Sequence, residues 1–245
     1  MSSASLGSAV EKLVSPAEPG VVDRDASQLP IAGLTNLSTC DWPGRLVTTV
    51  FVQGCPWRCG YCHNPDLIDS RTPGSIRWQA VRAHLEQRRG LLDGVVFSGG
   101  EPTRAAQLPA AMAEVRERGF LVGLHTSGAY PHRLQDVLSM AHWVGLDIKG
   151  LPEQYPRITG RQNAARRAFD SLDRLLNSGV DCEVRITVDP RYHSVEAVTD
   201  LLARLRQRGT PNVVLQAARM GTPASSATSE ALLDQVAVCT EVLRR

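Results

Sequence analysis

The regular alternation of short apolar runs and longer helix-like segments constrains the fold of this 245-residue chain more than any other feature. The runs are rich in β-branched residues, as expected for strands covered on both faces of a parallel sheet. They predict strands over residues 46–52, 94–97, 121–125, 143–148, 182–188 and 212–217. Helical spacing predicts helices over residues 77–88, 107–118, 131–140, 164–177, 195–208 and 229–243. Six consecutive βα units predict an α/β fold, an open, parallel (β/α)6 partial barrel, although a flat doubly wound sheet fits the same order.

The composition limits the class of protein. Hydrophobic residues make up 42% of the chain, which excludes global disorder, and the net charge of +2 gives no reason to expect nucleic acid or an anionic membrane as partner. No apolar run reaches the roughly 18–20 residues of a membrane-spanning helix, and the N-terminus lacks the features of a secretory signal. We therefore expect a cytoplasmic protein, in which the six cysteines are better candidates for metal or redox ligands than for disulfides.

The domain organisation is predicted to be simple. Residues 1–30 are rich in Ser, Ala and Pro and are predicted to form a flexible tail. Residues 31–245 are predicted to form a single (β/α)6 domain that ends in a C-terminal helix, with residues 220–229 as the linker before that helix.

Residues with chemical potential follow four successive predicted strands. Cys55 comes after the first strand, Ser98-Gly99-Gly100-Glu101 after the second, Thr126-Ser127-Gly128 after the third and Lys149-Gly150 after the fourth. In parallel α/β folds, ligands bind at the carboxyl ends of the strands. These residues are therefore expected to share one site.

The cysteine loop, Gly54 to Asn64, carries the strongest signal. Its cysteines, Cys55, Cys59 and Cys62, are spaced C-x3-C-x2-C, and soft thiolates in one short loop can hold an iron–sulfur cube or a zinc ion. A closed zinc site requires four ligands, and the nearest further candidate, His63, directly follows a cysteine and is poorly placed to chelate the same ion. Three ligands on a four-iron cube leave one iron open, which suits a catalytic site.

The cysteine loop resembles that of the radical S-adenosylmethionine enzymes, including the aromatic Tyr61 before the last cysteine. The resemblance covers residues 31–218, most of the chain. It implies that the three thiolates hold a 4Fe–4S cluster and that S-adenosylmethionine chelates the fourth iron. It further implies that one electron splits the sulfonium, that the resulting 5′-deoxyadenosyl radical abstracts hydrogen, and that the core is a partial (β/α)6 barrel.

Two further motifs support the resemblance. Gly99-Gly100-Glu101 is similar to the GGE motif of the family, which implies contact with the amino group of the bound cofactor; the alternative is a plain strand-to-helix turn. Asp147 and Lys149 resemble the D-[IL]-K element of the activating-enzyme branch. That implies contacts with the cofactor's carboxylate or ribose, or with a partner's backbone, against the alternative of a surface lysine beside a carboxylate.

Other polar residues are weaker candidates for cofactor binding. Arg185 is expected on the inner face of the fifth strand, where it would bind a cofactor carboxylate or pair with an internal glutamate. Thr126 and Ser127 stand where related enzymes have Asp-Thr-Asn-Gly, so that His125 replaces the acid and is either a core residue or a ligand contact. Asn64 follows the cluster loop and is a further candidate contact.

The remaining motifs point to one branch of the family. Asp41-Trp42-Pro43-Gly44-Arg45, Phe51 to Cys55 and Cys62 to Asp66 resemble the anaerobic ribonucleoside-triphosphate reductase activating proteins, as does the segment from Tyr155 to Gly160. The resemblance implies an oxidoreductase that generates a glycyl radical on a partner enzyme, with flavodoxin or ferredoxin as electron donor.

Two alternatives stay open on the sequence alone. One is a radical enzyme that acts on a small molecule, similar to 7-carboxy-7-deazaguanine synthase. The other is a non-enzymatic zinc- or cluster-binding interaction module. The other three cysteines, Cys40, Cys182 and Cys239, are interpreted as isolated thiols.

Overall fold

The structure, a computed structural model, describes residues 25–219, 223–239 and 243–244. Its eight strands form one sheet in chain order: β1 (Ile31–Ser38), β2 (Val47–Val52), β3 (Gly94–Gly99), β4 (Leu121–Thr126), β5 (Trp143–Asp147), β6 (Asp181–Val188), β7 (Val213–Ala217) and β8 (Leu243–Arg244). Only β1 is antiparallel to its neighbour; every later pair is parallel. Strand order never reverses, as it would in a doubly wound sheet, and β1 and β8 remain edges. The predicted open, partial barrel is confirmed.

Helices fill the connections between the parallel strands. They are α1 (Trp78–Gln87), α2 (Leu108–Glu117), α3 (Pro131–Leu138), α4 (Tyr155–Thr159), α5 (Ala164–Ser178), α6 (Val195–Gln207) and α7 (Pro223–Cys239). The main core lies between these helices and the outer face of the sheet, where Trp78 of α1 stacks on Phe97 of β3. In the described part of the chain, no helix combines the length and the apolar character needed to cross a membrane.

A separate apolar cluster closes the lower, amino-terminal end of the barrel. Trp42, from the segment between β1 and β2, stacks on Trp143 with ring centroids 5.5 Å apart. Gly123 makes room for it, because a Cβ there would lie 2.8 Å from Trp42. The polar residues of the barrel interior therefore lie on the other side of this cluster, toward the carboxyl ends of the strands.

The predicted boundaries of the N-terminal tail and of the C-terminal linker differ from the structure. Residues 1–24 of the predicted tail lie outside the described residues, but Ala26 and Leu29 are buried in the main core, so the packed region begins before residue 31. The predicted linker at 220–229 is wrong from residue 223 onward, because α7 begins at Pro223. Proline suits the first turn of a helix, where its missing N–H has no partner to lose.

Candidate active site

The cysteine loop begins where β2 ends and is fixed to the segment that follows it. Gly54, with φ of 96°, donates its N–H to the carbonyl of Leu67 at 2.8 Å, and Cys55 donates to Ile68 at 3.1 Å. The Cys62 N–H donates to the Cys59 carbonyl at 3.0 Å. All three thiols are free and partly buried.

Two later segments hold the loop from the opposite side. The N–H groups of Arg58 and Gly60 donate to carbonyls of α4, those of Thr159 and Ile158, at 3.0 and 3.1 Å. The Arg191 guanidinium donates to the Gly60 carbonyl at 3.0 Å. The sequence analysis did not predict α4, because five residues are too few to show helical spacing. This short helix nevertheless positions the loop.

The chemistry of the thiols fits a cationic cluster. Burial, and then the nearby Glu101 carboxylate, raise the pKa of Cys55 to about 12, and burial also raises the pKa of Cys59. Buried thiols become ligands only when a positive centre favours the thiolate, and three soft donors on one loop suit iron–sulfur chemistry. Among the residues that the structure describes, no three His, Cys, Asp or Glu side chains are grouped around a position for a single metal ion.

The two glycines of the GGE motif bring β3 against the start of the cysteine loop. A Cβ on Gly99 would lie 2.3 Å from the nitrogen of Val52, and one on Gly100 would lie 2.4 Å from the Gly54 oxygen. This close approach allows Gly100 to donate to Val52 and Glu101 to donate to Gly54, each at 2.9 Å. The glycines therefore join two segments of backbone.

The Glu101 side chain connects the ends of β3 and β4. It is fully buried, and its Oε1 accepts from the Thr103 N–H at 3.1 Å, the Thr103 hydroxyl at 2.6 Å and the Thr126 hydroxyl at 2.7 Å. Its Oε2 accepts from the Ser127 N–H at 2.8 Å and the Ser127 hydroxyl at 2.5 Å. A carboxylate offers about four lone-pair positions. The protein's own five donors engage this one fully.

A charged group of three side chains lies at the ends of β5 and β6. Asp147 accepts from Lys149 Nζ and from Arg185 Nε, each at 3.1 Å, through different oxygens. Burial opposes the charge on Asp147, but Lys149 and Arg185 lower its pKa to about 2. The pKa of Lys149 is raised by Asp147 against the effect of burial. Two cations on one carboxylate leave a local excess of one positive charge.

His125 is part of the barrel interior beneath this group. Its Nε2 lies 2.7 Å from the Asp41 carbonyl oxygen and 3.1 Å from Arg185 Nη1, and its ring packs edge-on against Trp143 at 5.5 Å. Burial, and then the charge of Arg185, lower its pKa to about 3. The imidazole is therefore neutral, and its Nδ1 lies 3.3 Å from the Ser98 hydroxyl.

The backbone of Lys149 is held by three aromatic side chains. Its N–H donates to the Tyr155 hydroxyl at 3.0 Å, while its carbonyl accepts from the Tyr61 hydroxyl at 3.4 Å and lies 2.9 Å from His193 Nε2. The Lys149 ammonium also lies 6.0 Å from the centre of the Tyr61 ring. Tyr61 thus links the cysteine loop to the end of β5. His193 carries no signal in the sequence, and Tyr155 is recognisable there only as part of a motif.

Asn64, a further predicted contact with the cofactor, lies on the surface of the protein. It is exposed at the start of the short 3-10 helix Pro65–Leu67, and its side chain does not cap that helix. The structure therefore joins the cysteine loop to the GGE motif directly, to β4 through Glu101, and to β5 and β6 through Tyr61 and Asp147.

Comparisons with known proteins agree with this architecture. The family described as the radical SAM superfamily matches residues 49–193. MJ1227 of Methanocaldococcus jannaschii, provisionally named a glycyl-radical enzyme activating enzyme, is 24% identical over 191 residues, which cover 70% of this chain and 73% of that protein. The pyruvate formate-lyase-activating enzyme of Clostridium pasteurianum is 30% identical over 167 residues, which cover 65% of this chain and 68% of that enzyme.

A solved structure shares the fold. The crystal structure of Streptococcus suis SuiB bound to S-adenosylmethionine superposes with a TM-score of 0.60 at 14% identity, over 79% of this chain and 48% of SuiB. The chain thus spans about half the length of SuiB.

Proposed function

The chain belongs to the radical SAM superfamily, and from that premise we propose that it activates a glycyl-radical enzyme. It is an oxidoreductase of a family that uses a 4Fe–4S cluster and S-adenosylmethionine. When bound, these groups supply one electron and a 5′-deoxyadenosyl radical, which removes a hydrogen atom from a glycine Cα of the partner. Cys55, Cys59 and Cys62 would hold the cluster.

This chain's own residues bind and orient the cofactor in the proposal. The excess positive charge of Lys149 and Arg185 over Asp147 suits the carboxylate of S-adenosylmethionine, and the guanidinium is suited to paired hydrogen bonds. Glu101 fixes Thr126 and Ser127 at the ends of the strands, and so shapes the side of the site that β3 and β4 form. The backbone of Gly99 and Gly100 keeps that side close to Cys55.

The observation that carries the activating function is the 30% identity to a pyruvate formate-lyase-activating enzyme over 65% of this chain and 68% of that enzyme. The open edges of the barrel at β1 and β8 support a macromolecular substrate, because a glycine-bearing loop needs a lateral entrance. The segment Asp41 to Arg45 resembles the anaerobic ribonucleoside-triphosphate reductase activating proteins and so favours that reductase as the partner. Flavodoxin or ferredoxin as the electron donor is what the family resemblance implies.

The test is anaerobic. The reconstituted protein is mixed with S-adenosylmethionine, a photoreductant and either an anaerobic ribonucleoside-triphosphate reductase or a pyruvate formate-lyase, and EPR records the glycyl radical. We expect a radical on the reductase, an equivalent amount of 5′-deoxyadenosine, and neither product with Cys59→Ala. Cofactor cleavage without a radical on either partner, or turnover of a small molecule without a protein partner, would overturn the activating function.

A further inference from the structure

The guanidinium of Arg185 is buried inside the barrel, and its place is set by residues of the neighbouring strand β5. The Arg185 side chain is 10% exposed, and its Nε donates to Asp147 Oδ1 at 3.1 Å. The group lies against Gly145, where an added Cβ would come within 3.0 Å of Arg185 Cζ. A buried cation is held by the polar atoms around it, so each atom that faces the guanidinium decides how it can meet a ligand.

His125 contacts the guanidinium from strand β4. It is paired in register with Gly145, is 9% exposed, and its Nε2 lies 3.1 Å from Arg185 Nη1. The ring is held on two further sides, by edge-on packing against Trp143 at 5.5 Å and by the Ser98 hydroxyl, 3.3 Å from Nδ1. The imidazole is therefore fixed in orientation, with Nε2 toward Arg185.

The Nε2 atom of His125 has two neighbours that make opposite demands on it. The Asp41 carbonyl oxygen, at 2.7 Å, can only accept a hydrogen bond, and Arg185 Nη1, at 3.1 Å, can only donate one. Both distances are those of a hydrogen bond, but a ring nitrogen carries either a proton or a lone pair and so makes one of the two. Each neutral tautomer of His125 therefore leaves one neighbour without a partner at Nε2.

Protonation of both ring nitrogens does not resolve this conflict. It would place a second cation 3.1 Å from the guanidinium of Arg185. Burial, and then the charge of Arg185, lower the pKa of His125 to about 3, and the opposite effects of Asp41 and Asp147 are outweighed. The position of the single proton on the neutral ring is therefore the variable that remains.

The Asp41 carbonyl is fixed and does not move away from His125. The Asp41 carboxylate accepts from the Thr49 hydroxyl at 2.6 Å, and the Asp41 N–H donates to the Ser38 hydroxyl at 3.2 Å. The next residue, Trp42, belongs to the apolar cluster that closes the amino-terminal end of the barrel. Both demands on Nε2 are thus built into the fold, and an acceptor supplied by a ligand can remove one of them.

We propose that His125 is a positioning residue that holds Arg185 for the carboxylate of S-adenosylmethionine and changes tautomer when that carboxylate binds. The proposal rests on the proposed function, in which Arg185 contacts the cofactor. Without a carboxylate ligand, Nδ1 carries the proton and Nε2 accepts from Arg185, because a hydrogen bond from a charged donor is the stronger of the two. This hydrogen bond keeps Nη1 turned away from Asp147.

Binding of the carboxylate reverses the choice. The ligand supplies Arg185 Nη1 with a charged acceptor, and Nε2–H of His125 then donates to the Asp41 carbonyl. One N–H bond breaks at Nδ1 and one forms at Nε2, with water as the proton carrier, so the charge of the ring does not change. A ligand without a carboxylate leaves the tautomer as it was, which makes His125 a determinant of specificity for the carboxylate.

The first test reads the tautomer directly. The chain has six histidines, and NMR of protein with isotope-labelled histidine nitrogens distinguishes a protonated from an unprotonated ring nitrogen. The His125 signals are those missing from His125→Gln. In the reconstituted, oxidised protein without cofactor we expect Nδ1–H. S-adenosylmethionine should change it to Nε2–H, whereas decarboxylated S-adenosylmethionine should not.

The second test separates positioning from a structural role. Equilibrium dialysis with the oxidised, reconstituted protein measures the Kd of both ligands without turnover. His125→Leu frees the guanidinium to turn toward Asp147. We therefore expect the Kd of S-adenosylmethionine to rise about 10-fold, the effect of one lost hydrogen bond to a charged group, and that of the decarboxylated ligand to change less than about 2-fold.

Two matched variants complete the second test. His125→Gln should bring the Kd of S-adenosylmethionine to within about 3-fold of the wild type, because its amide oxygen can accept from Arg185 Nη1. His84→Leu, which removes a contact of 2.9 Å between α1 and the Thr48 hydroxyl, should leave both affinities unchanged.

The outcomes separate this proposal from the proposed function. Equal losses of affinity for the two ligands in His125→Leu would show a merely structural role and overturn the proposal, as would the same tautomer with and without S-adenosylmethionine. If His125→Leu does not fold, the tautomers of the wild-type protein decide. If the wild-type protein binds neither ligand, the proposed function fails, whereas Nδ1–H in that protein still supports the hold on Arg185 and Nε2–H overturns it.

Discussion

Replacing Glu101 by glutamine tests whether this buried carboxylate holds the protein together before any cofactor binds. The amide oxygen can take the place of Oε1 and keep the three donors from Thr103 and Thr126. The amide NH2 then faces Ser127. The Ser127 hydroxyl can rotate to accept a hydrogen bond from it, but the Ser127 N–H is itself a donor and cannot accept one. One largely buried donor is left unpaired, at a cost of about 1–3 kcal/mol, and the remaining hydrogen bonds lose the benefit of the charge.

We expect Glu101→Gln to lower the free energy of unfolding by about 3 kcal/mol. For a chain of this size the melting temperature then falls by about 6–12 °C. The assay is thermal unfolding of the protein without cluster or cofactor, under reducing conditions. Glu117→Gln, on the exposed side of α2, is the matched control and should change little. If Glu101→Gln has the same melting temperature as the wild type and loses only affinity for S-adenosylmethionine, the reasoning is refuted, and the carboxylate binds the ligand instead.

Three other substitutions test separate parts of the site. Cys59→Ala should abolish the 4Fe–4S absorbance after anaerobic reconstitution, whereas Cys182→Ala, on β6, should retain it; equal iron content in both would contradict the assignment. Asp147→Asn should cost about 2 kcal/mol at pH 7, since the lowered pKa of about 2 adds stability above about pH 4 that disappears as the pH falls through about 2. Urea titrations should therefore show a larger difference in the free energy of unfolding between the wild type and Asp147→Asn at pH 7 than at pH 3. Gly60→Ala places a Cβ 1.9 Å from the Tyr192 hydroxyl and should reduce iron loading, with partial rescue by Tyr192→Phe; absence of rescue would show that the clash is not the cause.

The strands β2 to β7 could be predicted from the sequence because each is a largely buried apolar run. The predicted helix over 229–243 is wrong at its end, since α7 ends at Cys239 and Leu243 begins the two-residue strand β8, which is too short to show a pattern. The strands predicted over 121–125 and 182–188 each differ by one residue at one end from β4 and β6. The strand β1 could not be predicted in this way, since it is an edge strand whose residues are mostly half-exposed and whose apolar pattern is broken by Gly33 and Asn36. Its antiparallel pairing with β2 depends on a partner that follows in the chain.

In the candidate site, too, one part could be predicted from the sequence, and the rest depends on contacts between distant segments of the chain. The cysteine loop is local in the sequence, and its spacing alone predicts a metal ligand set. The five donors on Glu101 come from two separate loops, which the pairing of β3 with β4 brings together. Likewise His193 reaches the Lys149 carbonyl across 44 residues of chain. Such partners are fixed by strand order and register, and no periodicity in the sequence encodes them.

The way in which α4 and Arg191 hold the cysteine loop has a consequence for biosynthesis. The thiols lie at residues 55–62, but the backbone partners of the loop are at residues 158–159, and Arg191 and His193 come later still. A ribosome that adds about 5–20 residues per second needs roughly 7–26 s to cover the 131 residues from Cys62 to His193. Throughout that interval the nascent thiols lack the contacts that position them. Iron and sulfide are therefore expected to enter after translation of the α4 to His193 region, and oxygen reaches these cysteines most easily before it.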